Sequence, residues 1–390
     1  MIRFALSLVL CSVALLLALS AEPIAQVLGT QASALILVLL TAAPLLLPRL
    51  MPVLRSAPLR ASDARRVLHK CIALSMGCLA VLVYAALIGC LGFGTFSAFT
   101  SLAVMALPLA VVILPWYVHW TDQRLPDAED DYLRLGQCLS GLRPWRWSEH
   151  SLLIRTWCVK VFFIPIMAGG LIEVSTALVE MSRQDKPGQL IELMFYYGLF
   201  ADLLVGNIGY FFASKLLGND IKSVDATWSG WLVCIICYVP LNGLLHLATA
   251  QRDHFIWSDW LTPDHWLYWP WAAVLATTWI VYWLSTTCFG IDFSNMTWRR
   301  LVDNGPYRYT KHPAFISKNL YWWMSTVPFF GVASGWDVCR NILGMSILSF
   351  AYYLRAKTEE RHLMRFPEYA AYARRVDANG WFAWRRRTRN

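Results

Sequence analysis

CIALSMGCLAVLVYAALIGCLGF, residues 71–93, contains no Asp, Glu, Lys or Arg. A helix rises about 1.5 Å per residue, so a run of this length crosses the roughly 30 Å hydrocarbon core of a bilayer. Similar runs lie on both sides of it. Together the candidate spans cover residues 4–20, 31–48, 71–93, 98–118, 157–179, 190–213, 228–249, 268–289, 314–333 and 336–354. The fold class expected is therefore all-α, a polytopic transmembrane helical bundle of about ten spans. The whole chain agrees: of 390 residues, 57% are hydrophobic and only 15% charged, which is more apolar surface than a water-soluble fold can hide. The alternating ten-residue pattern of a membrane barrel is not seen.

The formal charge of +9 is explained by topology rather than by nucleic acid. With the first span starting inside, the segments 49–70, 119–156, 214–227, 290–313 and the tail after 354 share one face. They hold Arg49, Arg55, Arg60, Arg65, Arg66, the arginines from Arg124 to Arg146, Arg299, Arg300, Arg308, Lys311 and Arg385 to Arg387. The other face has Arg183, Lys186, Arg252 and Arg340. Cytoplasmic loops carry the excess of Lys and Arg, so both termini are expected in the cytoplasm. The first span reads as a retained helix rather than a cleaved signal peptide, although Arg3 precedes it and Ser20-Ala21 closes it. The ten cysteines are scattered, many in apolar runs, with no Cys/His cluster at metal spacing; neither a disulfide framework nor a metal site is expected.

Composition shifts near the polar segment 121–151, which includes the acidic patch Asp127 to Asp131. It marks the expected joint between an amino-terminal bundle, 1–150, and a second region, 151–390. Of the 20 tryptophans, 15 lie at or after Trp228, expected as an interfacial belt, with a lipid-binding groove as the alternative. Ionisable and amide side chains within spans are costly in lipid. Glu192, Lys318 and Arg340 fall near span ends, where they can snorkel. Glu173, Asn242, His246 and Asn319 read as paired structurally. Asp202 and Asn207 lie deep in the sixth span, where pairing and a transport role both remain open.

Between two apolar segments stands the run Asn304-Gly305-Pro306-Tyr307-Arg308-Tyr309-Thr310-Lys311-His312-Pro313. Gly and Pro make it a turn-rich loop. Pro313 suits the first turn of a following helix, and the amides of Ala314 and Phe315 at that helix start favour an anion. After the last span, Arg355 and Glu359 are four residues apart and share a helix face. They form either a surface ion pair or a cationic and an anionic contact for a zwitterionic ligand.

Taken in order, the loop Gly305 to Phe315, two spans, Arg355 to Glu360 and the aromatic segment Tyr369 to Tyr372 resemble the isoprenylcysteine carboxyl methyltransferase and phospholipid N-methyltransferase superfamily of integral membrane enzymes. The resemblance covers roughly residues 190–380, with core motifs in 297–375. It implies S-adenosylmethionine in a cytoplasm-facing pocket formed by the carboxy-terminal part. Leu301, Val302, Tyr307, His312, Pro313, Ala314 and Phe315 would line that pocket, and Glu359 would hold the ammonium group. Arg355 would orient the substrate's carboxylate or phosphate, and Glu360 or another nearby carboxylate would serve as base if the acceptor were an amine. The implied activity is methyl transfer to a membrane-embedded isoprenoid or lipid-like acceptor. Carboxylate O-methylation is favoured, with phospholipid amine N-methylation as the alternative. The expected partners are a lipid or lipidated substrate and the membrane, with no nucleic acid and no metal. Ala, Leu and Arg usage suggests a bacterial inner membrane. The first 150 residues lie outside the resemblance. Rival readings are a non-catalytic transporter or lipid-binding protein, and a nicotinamide-dependent reductase of the steroid 5α-reductase type.

Overall fold

The computed structural model describes residues 2–184, 189–249, 257–327, 332 and 334–381. Lys186, Arg252 and the cluster Arg385 to Arg387 lie outside them. The first half is built from long helices: α1 (Ile2–Ser20), the short α2 (Glu22–Val27), α3 (Thr30–Arg55), α4 (Ala64–Cys90), α5 (Gly94–Asp122), the short α6 (Asp131–Leu139) and α7 (Trp147–Ser182). There follow α8 (Gln189–Phe211), α9 (Trp228–Ile235), α10 (Gly243–Thr249), α11 (Trp257–Trp260), α12 (Tyr268–Thr287), α13 (Pro313–Thr326), α14 (Gly335–Leu363) and α15 (Pro367–Asn379). The fold is all-helical except for one antiparallel ladder, β1 (Ser223–Val224) on β2 (Thr297–Trp298), with Ser223 opposite Trp298.

Among the described residues, four helices are long and apolar enough to cross a membrane: Thr30–Arg55, Ala64–Cys90, Gly94–Asp122 and Trp147–Ser182. This corrects the expectation of about ten spans. The expected span 228–249 is broken into α9 and α10 around Pro240, whose missing N–H cannot continue a helix ladder. The expected span 314–333 is helical only to Thr326, and 328–331 and 333 lie outside the described residues. Further on, α8, α12 and α14 have the length of a span, but Tyr, Trp and polar side chains replace much of the aliphatic content. Some of those aromatics are core rather than belt. Trp279 and Trp283 are buried, whereas Trp228, Trp266 and Trp336 are exposed.

Packing crosses the expected joint at residue 150. One hydrophobic cluster joins Leu16, Leu37 and Leu45 to Leu171, Phe200 and Trp283, and another joins Val81 and Phe96 to Phe163, Tyr210 and Val224. The α7 helix lies between the two halves and supplies both clusters. Two of the polar groups expected within spans are hydrogen-bonded. Asn207 donates to the carbonyls of Met167 and Leu203 at 2.7 and 2.8 Å, and Thr95 donates to Glu173 at 3.0 Å.

The loops expected on one face do meet. Leu59 N–H donates to the Gln123 carbonyl at 2.8 Å, and Arg60 to that of Pro126 at 2.6 Å. Lys222 N–H reaches the Trp298 carbonyl, and Arg361 donates to the Thr227 hydroxyl at 2.5 Å. Beneath them sits a buried ion cluster. Asp122, fully buried, takes Arg66 at 2.7 Å and Lys70 at 3.0 Å, and Lys70 also reaches Asp130 at 2.9 Å. At the opposite end, Arg183 donates to Ser33 and to the carbonyls of Leu19 and Leu28. Among the described residues the cysteines are free thiols, Cys234 and Cys237 included despite their C-x-x-C spacing.

Candidate functional site

The polar run is held open by its ends. At its start, Arg299 is buried and directs its guanidinium to the carbonyls of Gly209 (2.8 Å), Asn219 (3.0 Å) and Ile291 (3.3 Å), and to Ser294. Burial pushes its pKa down to about 10, and these acceptors hold the charge. Gly209 is required there: a Cβ would lie 2.0 Å from the Phe293 carbonyl oxygen. Gly305 is required in the loop itself, because it has φ +58 and a Cβ would stand 2.6 Å from Cys288 Sγ. A 3₁₀ turn, Gly305–Arg308, follows. Pro313 then opens α13 and is buried at its first turn, with His312 as the capping position.

Helix α15 covers the loop. Trp298, Tyr369, Tyr372, Ala373 and Val376 form a small core, onto which Leu301 and Tyr307 pack. Tyr372 donates its hydroxyl to the Tyr307 carbonyl at 2.8 Å, Trp381 N–H donates to the Tyr309 carbonyl, and Arg375 pairs with Asp303 at 2.7 Å. Burial, then the nearby Glu359 carboxylate, push the Tyr307 phenol well above its ordinary value.

Loop, α13, α14 and α15 enclose a cavity with α7, α8 and α12. Its volume is about 150 Å³, or about 1220 Å³ when all the space out to its open mouth is counted. Leu301, Val302, Tyr307, His312, Ala314, Phe315, Arg355 and Glu359 all line it. Pro313 does not; it sets the start of the helix. Glu360 does not either. Its carboxylate is taken by Lys311 at 2.7 Å, Lys357 at 2.9 Å and His312 at 3.1 Å, and Lys311 also reaches Asp377 at 3.1 Å. Burial would raise the Glu360 pKa, but hydrogen bonds from His312, Lys311 and Lys357 outweigh it and hold the group well below the carboxylate range. It is a clamp that ties the loop to α14.

The clamp gives a pH prediction. Glu360 is a stronger acid folded than unfolded, so its contribution is complete above the ordinary glutamate value of 4.5 and is lost as pH falls below it. Protection of residues 301–311 against hydrogen exchange, taken relative to the intrinsic rate at each pH, should therefore fall on acidification below that value. In Glu360→Gln the protection should already be low at neutral pH and no longer respond. An unchanged acid response in the variant would remove Glu360 as the cause.

Arg355 and Glu359 do not pair with each other. One turn apart on α14, they face the cavity separately. Arg355 lies between the rings of Phe315 and Tyr238, at 5.0 and 5.2 Å, and donates to Asn295 at 3.1 Å and the Tyr238 hydroxyl at 3.3 Å. Asn295 is itself fixed, its backbone N–H donating to the buried Tyr210 hydroxyl at 2.9 Å. Among the described residues no carboxylate is within ion-pair distance of Arg355, and Glu359 has no hydrogen-bonded or ion-paired partner. Tyr238, Asn295 and Tyr282 are site residues that local sequence reasoning missed, because each comes from outside the motifs. Asp202 and Lys318, read above as intramembrane polar groups, also line the cavity.

Among the described residues, no group of three His, Cys, Asp or Glu side chains gathers to hold a metal. Comparison with protein-family models, with curated proteins and with solved structures found no match to this chain.

Proposed function

We propose that this chain transfers a methyl group from S-adenosylmethionine to a membrane-embedded, lipid-like acceptor, with the cavity opening to the cytoplasm. One observation carries the reading. A carboxylate without a protein partner, Glu359, and a guanidinium without a carboxylate, Arg355, face one cavity from a single helix, beside the motif loop. A zwitterionic cofactor and an anionic acceptor supply the missing partners. Glu359 would take the cofactor's ammonium group, the amides opening α13 its carboxylate, and the walls of Tyr307 and Phe315 its adenine and sulfonium. When bound, the cofactor supplies an electrophilic methyl group.

The chain's own residues then have to bind, align and exclude water, because displacement at a methyl carbon depends on alignment and desolvation. Arg355, held by Asn295 and two rings, presents a fixed fork to an acceptor oxyanion. An acceptor that arrives ionised needs no base. The geometry favours such an oxygen acceptor over an amine, since Glu360 is taken by three cations and Asp202 by the Tyr282 hydroxyl at 2.8 Å. On the resemblance, the oxygen is that of a carboxylate.

Purified protein in detergent should bind S-adenosylmethionine, and Glu359→Gln should weaken that binding about tenfold or more, the cost of losing a charge-assisted contact. Binding absent in the wild type, or equal in both proteins, would overturn the reading. Labelled methyl transferred to a native membrane lipid extract then identifies the acceptor: alkali-labile label reports a carboxyl ester, and stable label on a head group an amine.

A further inference from the structure

The inner end of the cavity has a second cation with no carboxylate partner. Along α13, Lys318 lies three residues beyond Phe315, about 4.5 Å further from the loop at 1.5 Å per residue and on the same face. Phe315 is the residue on which Arg355 stacks, so Lys318 and Arg355 line adjoining levels of one wall. The Lys318 ammonium sits 5.3 Å from the centre of the Tyr282 ring. Among the described residues, neither cation has a carboxylate at ion-pair distance. The nearest anion on the opposite wall, Asp202, is hydrogen-bonded by Tyr282.

A desolvated charge without a counter-charge is costly, and on this wall Arg355 and Lys318 adjoin with no carboxylate at ion-pair distance of either among the described residues. A carboxylate acceptor carries a single charge, which one Arg fork satisfies, leaving Lys318 without an ion-pair partner. A phosphate monoester carries about −1.5 to −2 at pH 7 and three terminal oxygens, enough to engage both Arg355 and Lys318 and to accept from the Tyr238 hydroxyl.

We infer that Arg355 and Lys318 together form a phosphate subsite, and that the acceptor presented to this cavity is a lipid whose phosphate monoester oxygen, rather than the carboxylate oxygen that the resemblance implies, would take the methyl group as it leaves the cofactor's sulfur. The inference rests on the proposed methyl transfer for the word acceptor. The subsite itself is measurable without the cofactor. Lys318 is then a specificity-determining residue, distinguishing a doubly charged head from a carboxylate or a zwitterion.

The test compares amphiphiles of equal tail length, decyl phosphate, decanoate and decylphosphocholine, together with glycerol phosphate. Each is titrated into protein in a neutral maltoside detergent at about pH 8, where the monoester is dianionic, with intrinsic tryptophan fluorescence as the readout. Decyl phosphate should bind at least about tenfold tighter than either other amphiphile. Lys318→Met should abolish that preference, and Lys318→Arg should keep most of it. S-adenosylmethionine binding should be equal in wild type and Lys318→Met, which shows that the variant is folded. Equal binding of decyl phosphate and decanoate, or a preference that survives Lys318→Met, overturns the subsite. Glycerol phosphate matching decyl phosphate would overturn the lipid source and assign a soluble ester. Phosphate selectivity in a protein that does not bind S-adenosylmethionine would support the subsite while overturning the methyl-transfer reading.

Discussion

Arg355→Met is expected to lower methyl transfer by about a hundredfold to a thousandfold, the loss typical when a preorganised charged donor is removed from a reacting group. Binding of S-adenosylmethionine should stay near that of the wild type, because in the proposed reaction Arg355 would meet the acceptor and Glu359 the cofactor. Methionine matches the length of the side chain and can occupy the slot between Phe315 and Tyr238, so the substitution removes charge and hydrogen bonds more than packing. Arg355→Lys is expected to fall between the two. It keeps the charge but loses the planar fork that reaches Asn295 and Tyr238 while stacking on both rings. Single-turnover transfer and equilibrium cofactor binding, measured on the same preparations, separate the effects. If both fall together in Arg355→Met, the residue is holding the fold rather than the acceptor.

A second large effect is expected far from the cavity. Asp122→Asn leaves Arg66 and Lys70 facing an uncharged amide at a fully buried position. Lys70 retains Asp130 at 2.9 Å, but one cation of the cluster loses its counter-charge. Breaking a buried pair from one side costs about 3–5 kcal/mol. The variant should unfold at clearly lower denaturant or temperature while the wild type remains folded. The double variant Asp122→Asn with Arg66→Met should recover part of the loss, since it removes the orphaned charge as well. Two losses that simply add would show that the cluster does not act as a unit. The cluster joins α4, α5 and α6 beneath the loop-bearing face, so it fixes how the amino-terminal helices seat against α7. It does so without touching the candidate site.

Much of this architecture is legible in the chain because the responsible signals are local. The charge-free apolar run 71–93 falls, as far as Cys90, in α4, a helix long and apolar enough to cross a membrane. The loop around Gly305 had to be a turn, and Pro313 had to open a helix. Less legible was the middle of the chain. Residues 228–249 are apolar enough to read as one span, yet Pro240 divides them, and hydropathy averages over the one residue that decides. The tryptophans posed a similar difficulty: Trp283 in the core and Trp228 at the surface have the same side chain, and only packing separates them.

Within the site, Arg355 and Glu359 were visible as a pair, but their spacing alone did not show whether they neutralise each other. The structure separates them, and each faces the cavity on its own. Glu360 reads in the sequence as a base beside them. Yet the next residue on a helix points about 100° away, and there Lys311, His312 and Lys357 wait. Lys318 carried a readable clue, three residues after Phe315 on one helix face, that its nearness to a span end obscured. Tyr238 and Asn295 carried none, because their part depends on a meeting of distant segments.

The covering of the loop by α15 has a consequence for the order of synthesis. Residues 301–311 emerge from the ribosome well before Tyr372, Asp377 and Trp381, the residues that hold them. A nascent chain can have its long helices inserted while the loop is still uncovered. The cavity is therefore closed by α15 only once residues 367–381 have been made.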